Sequence, residues 1–235
     1  YAKENNGGLV YAAENAVVTI VDSTIAGNAT VTGNAVVYLI NTAYAGAYGA
    51  NVYVDDATIA IDRVAKLTGT TSKEITLGSE TITVYNHYYA DLATAVAKMT
   101  AGNTTLVLFK DYTQTASLAK NNNIKGYTLT SENGAVLTVG CGYLFDLGAN
   151  SKVVPTIENI KINVGTKNLG YFNGVTLNIG AGAHIYGEGN SNGLILGATT
   201  NANTRINVLE GAVIEPTGSN PAFVMQGGVL TFNGG

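Results

Sequence analysis

Gly170-Tyr171-Phe172-Asn173-Gly174-Val175-Thr176-Leu177-Asn178-Ile179 holds the plan of this chain in ten residues. A small residue leads into an aromatic pair. Asn173-Gly174 is a turn. Val175, Leu177 and Ile179 then alternate with Thr176 and Asn178, which puts the apolar side chains on one face of a strand. The same order of features surrounds Tyr143-Leu144-Phe145, Gly193-Leu194-Ile195, Ala222-Phe223-Val224, Gly8-Leu9-Val10-Tyr11 and Ala35-Val36-Val37-Tyr38. The spacings are 27 (Phe145 to Phe172), 23 (Phe172 to Ile195), 29 (Ile195 to Val224) and 27 (Val10 to Val37). A period in the twenties, made of short strands and turns, marks a solenoid whose turns stack their strands. The chain is therefore expected to be all-β.

Composition agrees. Apolar residues make up 46% of the 235, ample for a core. Charged residues make up only 12%, about half the usual share. Asn (26) and Gly (29), with Thr and Ser, supply the polar surface instead. Asn and Gly tolerate left-handed turn conformations, and Thr suits strands. The net charge is −4, and the 12 Lys and Arg are scattered rather than clustered. That pattern argues against a nucleic-acid partner. No apolar run reaches the ~20 residues of a membrane helix, so no membrane insertion is expected. Cys141 is the single cysteine and reads as a small buried hydrophobe.

Three regions are expected. Residues 1–67 read as turns of a solenoid, with strands at 17–21, 35–40, 51–54 and 58–61. Residues 68–102 read as a junction. Glu74 to Leu77 and Thr81 to Val84 flank Gly78-Ser79 as a hairpin. After the aromatic cluster Tyr85-Asn86-His87-Tyr88-Tyr89 comes one helix over 91–101, with Asp91 as N-cap and Leu92, Ala95, Val96 and Met99 on one face. Such a helix suits the task of covering an open solenoid end. Residues 103–235 resume the turns. Ile160-Lys161-Ile162-Asn163-Val164 and Ile206-Asn207-Val208 repeat the strict alternation.

The stretch from Ala90 to Val139 resembles the start of a right-handed parallel β-helix of the pectate-lyase-like superfamily. It carries a capping helix, then Thr104 to Asp111, Tyr127 to Ser131 and Ala135 to Val139 as successive strands. Residues 6–38 resemble the Gly-Gly-aliphatic turns of adhesin-like bacterial surface proteins. The resemblance implies an extracellular location, secreted or on the cell surface. Glycans or a host surface are the partners it implies beyond other copies of the chain.

Enzymes of that superfamily would need chemistry that the residues do not spell out. Asp55-Asp56 are the only adjacent carboxylates, and neighbours on a strand point to opposite faces. Asp22, Asp146, Glu188, Glu210 and Glu215 stand alone, whereas glycoside cleavage needs two carboxyls at a set separation. His87 and His184 are far apart in sequence and lack metal-ligand spacing. No catalytic residue, metal site or cofactor is expected. A carbohydrate-active β-helix module, enzymatic or binding, is the alternative class.

The order of regions points to assembly. A capping helix sits mid-chain, while both ends of the sequence break off within the repeat pattern. Joining Val224 of one copy to Val10 of the next gives a step of 21 residues, close to one turn. The expected interface is Leu9, Val10 and Tyr11 against Val229, Leu230 and Phe232, linking copies end to end in a fibre or stalk, or as successive repeats cut from a longer tandem chain.

Overall fold

Alternation along each strand becomes stacking between strands. The computed structural model describes residues 2–3, 10–25, 29–44, 51–197 and 201–234. These form an all-β parallel solenoid. The chain divides into two units, Tyr1–Lys98 and Met99–Gly235.

The first unit opens with β1 (Ala2–Lys3), β2 (Val10–Ala12), β3 (Val17–Val21), β4 (Thr24–Ile25), β5 (Ala29–Val31), β6 (Val36–Ile40), β7 (Ala43–Tyr44) and β8 (Val52–Val54). β2 pairs with β5, β3 with β6 and β4 with β7, all parallel. Val10 faces Ala29, Val17 faces Val36 and Thr24 faces Ala43, so one turn takes 19 residues. The expected step of 27 from Val10 to Val37 is therefore wrong, because the two residues lie in different sheets. The correct repeat is Asn15-Ala16-Val17-Val18, which returns as Asn34-Ala35-Val36-Val37. The side chains keep that register: the Asn34 amide donates to Asn15 Oδ1 at 3.3 Å, and Asn41 donates to Asp22 Oδ1 at 2.9 Å.

Helix α1 (Asp56–Asp62) follows, then β9 (Ala65–Leu67), β10 (Ser72–Leu77), β11 (Glu80–Tyr85), β12 (Tyr88–Tyr89) and helix α2 (Leu92–Lys98). Two helices thus replace the single one expected among these residues, and the strand expected at 58–61 is helical. Asp55 explains it. Its side chain accepts the Thr58 N–H at 2.9 Å as an N-cap, with Asp56 in the first turn. That local bond outweighs the strand preference of Thr58 and Ile59. α2 starts as expected: Asp91 accepts the Thr94 N–H at 2.7 Å, and Leu92, Ala95 and Val96 are buried.

The expected hairpin forms, with Ile75 opposite Ile82 and Gly78 at φ +63° in its turn. It does more than reverse the chain. Ile75, Leu77 and Ile82, with Tyr38 and Tyr53, pack around Val21, Ile40 and Val84. Val21 and Ile40 flank the inward-facing Ile20 and Leu39, so the hairpin builds a second small core over the outer face of the β3–β6–β8 sheet. Lys73 lies 4.0 Å from the Tyr53 ring centroid and 4.6 Å from that of Tyr38.

The second unit stacks its strands turn on turn. Its strands are β13 (Thr105–Leu108), β14 (Tyr112–Gln114), β15 (Leu118–Ala119), β16 (Gly126–Ser131), β17 (Val136–Val139), β18 (Tyr143–Asp146), β19 (Val154–Ile157), β20 (Lys161–Gly165), β21 (Asn168–Phe172), β22 (Thr176–Ile179), β23 (His184–Gly187), β24 (Ile195–Gly197), β25 (Arg205–Leu209), β26 (Val213–Pro216), β27 (Phe223–Val224) and β28 (Val229–Asn233). They stack as three parallel sheets, in the orders β13-β16-β19-β22-β25-β28, β14-β17-β20-β23-β26 and β15-β18-β21-β24-β27. Thr105, Thr128, Thr156, Asn178, Asn207 and Thr231 form one column, giving turns of 23, 28, 22, 29 and 24 residues.

The segments that announced the repeat in this unit all fall in the third sheet, though not in the expected register. Phe145 faces Gly170 rather than Phe172, and Ile195 faces Phe223 rather than Val224. Uneven turn lengths absorb these slips. The Phe145 and Phe172 rings still stack in the core, 6.1 Å apart, with Tyr127 6.4 Å from Phe145. Cys141 is half-buried rather than buried. It sits at the corner between β17 and β18, with its thiol donating to the Tyr143 carbonyl at 3.0 Å.

Candidate functional site

A solenoid ends in strand edges, and the two units treat theirs differently. In the second unit one inward-facing column runs Leu106, Leu129, Ile157, Ile179, Val208 and Phe232. The first four are fully buried, Val208 is 4% exposed and Phe232 is 59% exposed. A second column, Leu137, Ile162, Ile185 and Ile214, goes from fully buried to half-buried over its last step. Among the described residues, the turn that holds β26, β27 and β28 therefore leaves inward-facing residues exposed. Phe223 meets Phe232 edge-on there, with centroids 5.8 Å apart, and Leu230 sits half-buried beside them. β28 is the terminal strand of its sheet among the described residues.

The expected interface residues divide by face. Leu230 and Phe232 stand over the inward Ile206 and Val208. Val229 stands over the outward Arg205 and is 44% exposed. Val10 is buried in β2, while Tyr11 points out and is 71% exposed. Tyr11 and Val229 are thus outer-face residues rather than end-face ones, as strict alternation requires. Leu9 lies outside the described residues. Phe223, which the repeat pattern had marked but not as an interface residue, and Ile214, which nothing in the pattern marked, join the exposed end. Only the register shows which residue of a terminal strand continues an inward column.

In the first unit the edge at β7 is closed. Three side chains of α1 and its cap take the outward N–H groups of residues 41–44. Asn41 N–H donates to Asp55 Oδ1 at 3.1 Å, Thr42 N–H to Thr58 Oγ1 at 3.1 Å and Tyr44 N–H to Asp62 Oδ2 at 2.5 Å. Thr58 in turn donates to the Leu39 carbonyl at 3.1 Å. These oxygens stand where the carbonyls of a further turn would be. Behind them the fully buried Arg63 pairs with Asp62 and donates to the Tyr44 carbonyl at 3.4 Å. The sequence signal for this seal was Asp-x-x-Thr at 55–58 followed by Asp62-Arg63.

Of the remaining polar candidates, His184 and Glu215 meet. Asp55 is buried as a cap, while Asp56 is exposed in the first turn of α1. His184 Nε2 lies 2.8 Å from Glu215 Oε2 on an outer sheet face, with Tyr186 5.0 Å from the His ring. His87 has φ +60°, and burial pulls its pKa down. No group of three or more His, Cys, Asp or Glu suited to a metal occurs among the described residues. Among the same residues no helix is long and apolar enough to cross a membrane. Compared with models of known protein families, with curated proteins and with solved structures, the chain matches none.

Proposed function

We propose that this chain is a structural solenoid of the adhesin-like surface type, a right-handed parallel β-helix that acts outside the cell and associates end to end. The observation that supports this is the 59% exposure of Phe232 at the end of a column otherwise buried to 4% or less. Burial of apolar area at roughly 25 cal/mol per Å² favours covering such an end. Among the described residues β26, β27 and β28 are the terminal strands of their sheets, and their outer edges add backbone donors and acceptors for strand addition. The occupant is the first turn of a second copy. β2, β3 and β4 follow the same three-strand plan, and β2 and β4 each have a strand on one side only among the described residues. A contact between two different surfaces does not close on itself, so the product is a fibre or stalk.

The test is sedimentation velocity with negative-stain microscopy of the chain and of Phe232→Glu. Wild type is expected to form rods longer than one subunit, in a concentration-dependent way. The variant is expected to sediment as a monomer with an unchanged circular-dichroism spectrum. Rods that persist in the folded variant would remove the terminal turn as the junction. Monomeric wild type at all concentrations would remove the proposal.

A further inference from the structure

We infer that α1 is an edge guard, concealing at residues 41–44 a strand-pairing surface that otherwise accepts β4 of a second copy of this chain. Three observations carry this. First, the donors of Asn41, Thr42 and Tyr44 are met by side chains rather than by a neighbouring strand. Side chains can leave, whereas a strand of the same turn cannot. Second, the guard is fastened at two fully buried residues, Thr58 and Arg63. Fastening of this kind suits an edge that is hazardous when bare. Third, the complementary surface exists on the same chain. β4 and β7 are two-residue strands that pair in parallel, Thr24 with Ala43 and Ile25 with Tyr44. β4 has no strand on its other side among the described residues. The β4 of a second copy, laid on β7, would repeat that pairing one step further. The contact is heterologous and propagates unless α1 blocks it.

This surface is separate from the terminal turn around Phe232, and the test keeps the two apart by working in the Phe232→Glu background. Ala60→Pro breaks α1 at its middle. Thr58→Val removes one acceptor with little change of shape. Each double variant is compared with Phe232→Glu alone by size-exclusion chromatography with light scattering and by amide hydrogen exchange. The Ala60→Pro chain is expected to associate as concentration rises, with the amides of residues 41, 42 and 44 protected in the associated form. Thr58→Val is expected to speed exchange at Thr42 at least ~10-fold in dilute solution and to associate at higher concentration. A folded Ala60→Pro chain that stays monomeric overturns the inference. So does association that leaves these three amides exchanging fast, because the contact then lies elsewhere. Should Ala60→Pro lose its strand signal, Thr58→Val decides by the same two readings.

Discussion

Asp62 and Tyr44 are joined across 18 residues of chain: the Asp62 carboxylate accepts the Tyr44 backbone N–H at 2.5 Å. The same carboxylate neutralises Arg63, whose side chain is wholly out of water. One acidic group thus closes a strand edge and balances a buried cation. Removing it takes away the carboxylate that pairs with that buried cation. Asp62→Ala is expected to cost about 3–5 kcal/mol of stability. Asp62→Asn, which keeps an acceptor for Tyr44, is expected to cost less. Urea unfolding of the three proteins checks the order; a loss below ~1 kcal/mol in Asp62→Ala would show that the pair does not hold α1.

Glu14 and Gly33 occupy equivalent positions one turn apart and share a left-handed backbone, φ +60° and +64°. A Cβ on Gly33 would stand 3.1 Å from the Glu14 carbonyl oxygen. Glu14→Gly relieves the strain at the one non-glycine of the pair and is expected to raise stability by up to ~1 kcal/mol. Gly33→Ala meets both the strain and the close approach and is expected to lose more than that. Thermal melts of both variants measure the contrast, and equal effects of one sign would refute it.

Tyr127 lies in the aromatic stack of the second unit, and its buried hydroxyl has no hydrogen-bond partner among the described residues. Tyr127→Phe keeps the ring and removes the orphan group. A gain of about 1 kcal/mol is expected. Burial also raises the Tyr127 pKa far above the ordinary value of 10.0. A raised folded-state pKa means stability present below pH ~10 and lost as pH climbs above it. Denaturant midpoints at pH 7 and pH 11 should show the variant gaining more at the alkaline value. A variant less stable at both would contradict the assignment.

His87 presents the opposite sign. Burial lowers its pKa below the ordinary 6.5, so the folded chain prefers the neutral ring. Stability is then full above the ordinary His value and falls as pH drops through the lowered one. His87→Asn removes the titration and suits a backbone with φ +60°. The variant is expected to lose less stability than wild type between pH 7 and pH 5. Parallel profiles for the two proteins would rule His87 out as the source of acid sensitivity.

The fold was legible because its signal is periodic and repeated. Ile160 to Val164 and Val175 to Ile179 alternate without exception, and both stay alternately buried in the structure. Asp91 before Leu92, Ala95 and Val96 announced α2 in the same local way. The helix at 56–62 was not legible as a helix. Thr58, Ile59 and Ile61 favour strands by themselves, and the capping bond of Asp55 reverses that preference. Likewise the 19-residue repeat of the first unit was masked by aligning Val10 with Val37, since apolar triplets look alike whichever sheet they enter.

Alternation, turn residues and low charge were enough to say that this polypeptide winds into stacked parallel strands around an aliphatic interior, because each of those features acts within a few residues. Which strand edges are shut and which stay open depended on oxygens and rings brought together from distant positions: Asp62 onto Tyr44, Thr58 onto Thr42, Phe223 onto Phe232. Register settles those meetings, and register is a property of neighbouring turns fitted to each other rather than of any one segment.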